Sequence, residues 1–133
     1  MSAAPRSGQV AAIYLAVAIG AAIGGGGRHL ISLMMATSDW PWPTLLANVS
    51  GSLLIGLYSA LPADSRWSQG SLHGFVTAGF CGGLTTFSIF SLEVIQLMAA
   101  DPLTATGWLL LSLTAWLGSV SVGYFIGRSM LSA

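Results

Sequence analysis

Charge is what this sequence has least of. Only 6% of its 133 residues are charged, and none is lysine: Arg6, Arg28, Arg66 and Arg128 stand against Asp39, Asp64, Glu93 and Asp101. Soluble domains carry about 25% charged residues, so a fold with an ordinary water-facing surface is excluded. A net charge of zero leaves no basic face for nucleic acid. The lone Cys81 rules out an intrachain disulfide and any multi-cysteine metal site. In its apolar stretch it reads as a small hydrophobe. His29 and His73 fall near expected helix ends, without the spacing of a metal pair. No Ser/His/Asp or metal-ligand set can be assembled from them, so the chain is not expected to be an enzyme.

What is there is apolar. Hydrophobic residues make up 54% of the chain and its mean hydropathy is +0.79. A spanning helix needs about 20 mostly apolar residues. Four segments qualify, at about 9–35, 44–61, 71–99 and 103–131. The fold class expected is therefore an all-α integral membrane protein, one transmembrane domain over 1–133. Trp40-Pro41-Trp42-Pro43 is expected to stop the first helix, since proline disfavours αR in the residue before it. Pro62 to Trp67 makes the second loop, and Asp101-Pro102 the third, with Asp101 as N-cap. The first apolar run exceeds the 7–15 residues of a signal-peptide core and lacks a clear cleavage site. It reads as a retained helix. Loops this short place any function inside the bilayer. Four spans put both termini on one side, and with them inside, Arg6, Arg66 and Arg128 are cytoplasmic against Arg28 outside.

Several residues exceed the needs of a plain lipid-facing helix. Ala16, Gly20 and Gly24 recur every four residues and lead into Gly24–Gly27 and Arg28. Small residues so spaced let helices approach closely. Arg28 either snorkels from a helix end or lines an anion vestibule. Asn48, Ser52 and Gly56 form one stripe of the second helix. An amide in hydrocarbon needs a partner, so Asn48 is either interhelical glue or a pore-facing donor. In the third segment, Gly82-Gly83-Leu84-Thr85-Thr86 places weak helix formers in mid-membrane. That composition is read as a kink or as a break whose freed carbonyls coordinate a hard cation. Phe87 and Phe90 share a face, with Thr86 and Glu93 on the side of Phe90. The rings either pack or offer their positive edges to an anion. Glu93, an acid within a span, is a functional candidate, or a hydrated residue near the helix's outer end. Ser112 and Ser119 share a face of the last helix, and hydroxyls there commonly bond their own i−4 carbonyl. Trp108 and Trp116 are placed on a lipid or packing face.

At Gly82-Gly83-Leu84-Thr85-Thr86-Phe87-Ser88-Ile89-Phe90 the chain closely resembles the Fluc (CrcB) fluoride channels. The resemblance extends over all four helices, through the Gly-rich first helix with Arg28, Asn48-Val49-Ser50-Gly51, and Ser91-Leu92-Glu93. It implies an antiparallel, dual-topology homodimer with two fluoride pores and passive fluoride efflux across the plasma (inner) membrane. By that likeness Asn48 donates to the ion, Phe87 and Phe90 are pore rings, and Thr86, Ser112, Glu93 and Arg28 belong to the pathway or its vestibule. Carbonyls of Gly82 and Thr85 are implied to hold a structural Na⁺ at the dimer interface. Ile89 departs from the family, whose members usually have threonine there. The rival readings are a small four-helix proton-coupled multidrug exporter and a structural membrane subunit. The exporter would need a buried acid, expected in the first helix, and only Glu93 is available. The subunit leaves Asn48 and the Gly-Gly-Leu-Thr-Thr stretch unexplained.

Overall fold

The computed structural model describes residues 7–132, and within them the chain is helical. Helix α1 spans Ser7–Met34 and α2 Trp42–Ser59. A 3₁₀ turn at Arg66–Ser68 precedes α3, residues 70–84. Helices α4, Phe87–Ala100, and α5, Pro102–Ser132, complete the bundle. Three stretches are long and apolar enough to cross a membrane: Ser7–Met34, Gly70–Ala100 and Pro102–Ser132. At 18 residues α2 falls short of that hydropathy, because Thr44, Asn48, Ser50 and Ser52 dilute it. Arg6, one of the three arginines assigned to the cytoplasmic side, lies outside the described residues.

Glycines decide which helices touch. A Cβ on Gly20 would lie 2.5 Å from the Phe75 carbonyl oxygen, and one on Gly83 2.5 Å from that of Ala21. Gly24 abuts the Phe80 carbonyl and Gly79 the Val17 carbonyl in the same way. Residue numbers rise together along both helices, so α1 and α3 run parallel, backbone against backbone. The same device joins α2 to α5, where Gly56 meets the Val120 carbonyl and Gly123 that of Leu53. Lipid gives no hydrophobic drive for helix association. Close backbone approach with many dispersion contacts supplies it instead.

The connection between α1 and α2 is built differently from the sequence expectation. Helix α1 ends at Met34, six residues before Trp40, in a turn closed by Ser38 N–H donating to the Met35 carbonyl at 3.0 Å. The Trp-Pro-Trp-Pro run opens α2 instead, with proline in its first turn. There the missing N–H is one that a helix start leaves unpaired anyway. Arg28 therefore stands inside α1, six residues from its end, and does not snorkel from a terminus. His29 likewise lies within α1. Trp40 and Trp42 pack edge-on to Trp108 at 5.5 and 5.4 Å, so Trp108 is buried rather than lipid-facing.

The third helix starts at Gly70, whose φ of +62° admits glycine with least cost. Over Phe75–Cys81 it winds as a π-helix, a geometry common at functional sites. Asp101 caps α5 as expected, accepting from the Leu103 and Thr104 N–H groups at 3.1 and 3.3 Å. Hydrogen bonds from the Thr104 hydroxyl and the Leu103 backbone hold its carboxyl below the usual aspartate range.

Candidate functional site

Helical torsions lapse at two residues within the Gly70–Ala100 span. Thr85 has φ −83°, ψ 155° and Thr86 has φ −150°, ψ 122°, both extended. The backbone groups released there need partners, because no water repairs them in hydrocarbon. Asn48 supplies two. Its Nδ2 donates to the Thr86 carbonyl at 3.0 Å, and its Oδ1 accepts from the Thr86 N–H at 2.7 Å. The amide thus holds α2 to the extended residues and keeps one N–H uncommitted. Both alternatives read from the sequence for Asn48 are compatible with this, and interhelical attachment is what the geometry displays directly.

Other groups tie down the rest of the interruption. Thr85 returns both its N–H and its hydroxyl to the Cys81 carbonyl, at 3.0 and 2.9 Å. The Thr86 hydroxyl caps α4 by accepting from Ile89 N–H at 3.3 Å. The Gly83 carbonyl accepts from Arg28 Nε at 3.3 Å. Thr86 N–H, which would close a helical turn onto the Gly82 carbonyl, goes to Asn48 instead. Gly82 is exposed, and a Cβ there would meet nothing nearer than the Thr77 carbonyl at 3.7 Å. Gly82 is thus open to its surroundings, while Thr85, three residues on, is half-buried with its methyl against Gly51.

Beside the interruption lies a cleft of about 320 Å³, lined by Asn48, Ser52, Thr77, Gly82, Thr85, Thr86, Phe87 and Trp116. Its lining mixes hydroxyl and amide donors with aromatic rings and carries no charged side chain. Phe87 and Phe90 have centroids 5.8 Å apart. Phe87 is 68% exposed and Phe90 only 2%, so one ring faces the cleft and the other lies behind it. Phe90 meets Trp116 edge-on at 4.6 Å. Ser112, one turn before Trp116 on α5, is fully buried, and its hydroxyl has no partner. The i−4 carbonyl bond common for such hydroxyls is made by Thr114 and Ser121 but not by Ser112.

A second cleft, of about 480 Å³, opens at the end where α1 and α4 finish and α2 starts. Arg28, Asp39, Thr44, Ile89, Glu93 and Gln96 are among its walls. Thr44 donates its hydroxyl to Glu93 Oε1 at 2.5 Å, while Oε2 has no partner. Arg28 and Glu93 therefore belong to this larger cleft, and Asn48, Thr86 and Phe87 to the smaller one. Thr44 and the Arg28–Gly83 bond were not read from the sequence, and Trp116 was placed only on a lipid or packing face. A buried threonine or tryptophan gives no local signal of which distant residue it faces.

A family model described as CrcB-like protein, Camphor Resistance (CrcB), matches residues 15–124, which contain every side chain named in the two clefts. The chain belongs to the CrcB family. It is 40% identical over 126 residues to a protein of Rhodopseudomonas palustris strain BisB18 named fluoride-specific ion channel FluC 1, covering 90% of this chain and 89% of that one. A Bordetella petrii protein named fluoride-specific ion channel FluC is 46% identical over 112 residues, 83% of this chain and 87% of its own. A Bacillus licheniformis protein named fluoride-specific ion channel FluC 2 is 37% identical over 120 residues, 90% of each. This CrcB chain is a multi-pass membrane protein, with three helices apolar enough to span.

Proposed function

We propose that the chain is a fluoride-selective channel that lets fluoride leave the cytoplasm passively through the plasma membrane. The observation that carries this reading is the uncharged cleft where Asn48, with one amide N–H uncommitted, meets Thr86 and Phe87. Fluoride is small and tightly hydrated, so a pore must replace its water with other donors. Amide and hydroxyl donors do so, and so do ring edges, which are positive. A fixed cation beside them would trap the ion, and conduction requires that binding also release it. Arg28 stands apart in the larger cleft, where Asp39 and Glu93 share the walls with it, and places no fixed positive charge beside Asn48, Thr86 and Phe87. The fluoride-channel names of the relatives in Rhodopseudomonas and Bordetella support the same reading.

The working unit in this proposal is an antiparallel homodimer inserted in both orientations. Four arginines and no lysine, divided three to one, leave little charge to fix one orientation. The exposed Gly82 and half-buried Thr85, with the Gly82 carbonyl's usual helical donor diverted to Asn48, fit a hard cation shared across a two-fold axis. Two carbonyls from each subunit would hold Na⁺ there, and the ion would neutralise carbonyl dipoles facing one another in lipid. A divalent ion usually recruits carboxylates, and none lies within the interruption.

Liposomes containing the purified chain and loaded with fluoride are expected to empty once a K⁺ ionophore lets counter-charge follow. Chloride-loaded vesicles should hold their contents. Equal chloride efflux overturns selectivity, and a required pH gradient would favour the proton-coupled exporter through Glu93. In the same vesicles Phe87→Ile and Phe90→Ile keep apolar bulk and remove the ring quadrupole. Fluoride flux should fall by at least tenfold in each, with assembly retained. Wild-type flux in both returns the rings to a packing role.

A further inference from the structure

Trp116 has a donor that the fold leaves unused. Its indole nitrogen is shielded from solvent, and no oxygen or nitrogen among the described residues accepts from it. Its ring lines the smaller cleft together with Asn48, Thr86 and Phe87. Phe90 lies against it at 73°, a contact that offers at most a weak N–H···π interaction. One helical turn earlier on the same face of α5, the Ser112 hydroxyl is also buried without a partner. Buried donors are nearly always satisfied, and each one that is not calls for an explanation.

We infer that the Trp116 indole N–H is a hydrogen-bond donor to the anion passing through this cleft and sets its preference for fluoride over chloride. An indole N–H donates and cannot accept, so neither a cation nor a second donor group satisfies it. Fluoride concentrates its charge in the smallest volume of the halides and is their strongest acceptor. The indole nitrogen is covered in the chain as it stands, so an ion entering beside the exposed Phe87 must loosen the Trp116 contact to reach it. Fluoride compensates for that disturbance with a strong hydrogen bond, and chloride does so less. The unused donor is then a selectivity element, and its burial keeps water from occupying the position. The inference rests on the fluoride reading above and adds to it a residue whose sequence position suggested only packing.

Trp116→Phe keeps an aromatic ring against Phe90 and deletes the donor. Fluoride flux in liposomes should fall roughly tenfold, the factor carried by one hydrogen bond to a charged group. The fluoride-to-chloride flux ratio should fall with it. The thermal midpoint in detergent should hold or rise, because an unsatisfied buried donor has gone. In the wild-type protein the Trp116 indole ¹⁵N–¹H resonance, assigned by its loss in the variant, should shift on titration with NaF and not with NaCl. Should Trp116→Phe fail to assemble, Trp116→Tyr serves for assignment and the wild-type titration decides. Undiminished flux in Trp116→Phe, or an indole resonance that NaF leaves unmoved, overturns the assignment. A wild-type chain that passes no fluoride overturns the channel reading itself, a result the paired wild-type assay separates from the first.

Discussion

Asn48→Leu is expected to abolish fluoride flux and to lower the unfolding midpoint, two effects with one cause. The Asn48 amide gives Thr86 both a donor and an acceptor, at 3.0 and 2.7 Å, and is itself only 4% exposed. Leucine fills a similar volume but returns neither bond. The Thr86 N–H and carbonyl are then left without a partner, each at about 1–3 kcal/mol. The extended residues between α3 and α4 are expected to relax toward a continuous helix. Thr85, Thr86 and Phe87 would then turn out of their positions around the cleft. Asn48→Asp separates the two bonds. Its carboxylate still accepts from Thr86 N–H but turns a charged oxygen toward the Thr86 carbonyl, and it repels an approaching anion. An unpaired carboxylate buried against a carbonyl costs at least as much as the two bonds leucine leaves unmade, so the aspartate variant should be destabilised no less than the leucine variant and conduct as poorly. Thermal melts in detergent, read beside liposome flux, test the pair. Wild-type stability in Asn48→Leu would mean that the amide does not hold the interruption in place.

How far the sequence allowed this to be foreseen depends on the range of each interaction. Helix positions came from local apolar length, and the observed limits fall within two residues of those expected. The weak helix formers at Gly82 to Thr86 were legible because glycine and threonine propensities are local properties. The partner of Asn48 was not, since Thr86 lies 38 residues away and any buried donor or acceptor would have served. For Arg28 two readings stayed open, a helix-end snorkel or a vestibule wall, because its bond to the Gly83 carbonyl spans 55 residues and gives no local signal. Trp-Pro-Trp-Pro was read as a stop when it is a start, since proline fits both the residues beyond a helix and the first turn of the next. Trp116 was legible only as a lipid-facing or packing residue. Tryptophan in a span is ordinary, and only the coordinates reveal that its nitrogen is both covered and unpartnered.

Gly24→Val and Gly82→Val are expected to fail in opposite ways, although both place the same side chain in the same Gly-rich surroundings. At Gly24 an added Cβ would overlap the Phe80 carbonyl and lie 2.9 Å from the Leu84 nitrogen. Both neighbours are backbone, so neither moves aside without separating α1 from α3. That loss includes the Arg28 bond to Gly83 and much of the close contact that substitutes for a hydrophobic drive in lipid. Overpacking of this kind costs about 1–3 kcal/mol or more, and here it acts along an entire helix pair. Gly24→Val should yield little folded protein. Gly82 offers the contrast, since its Cβ would meet only the Thr77 carbonyl at 3.7 Å, an ordinary contact. The isolated chain therefore accommodates valine there, with a modest helix-propensity change and no clash. If the face carrying Gly82 meets a second copy around Na⁺, valine intrudes on that meeting. Gly82→Val should then purify as a folded, helical monomer without flux, while Thr85→Ser, which keeps the backbone and the hydroxyl, stays close to wild type. Circular dichroism reports the fold, and light scattering in detergent reports the assembly. A Gly82→Val protein that remains a conducting dimer would remove this face from the proposed interface, and with it the shared cation.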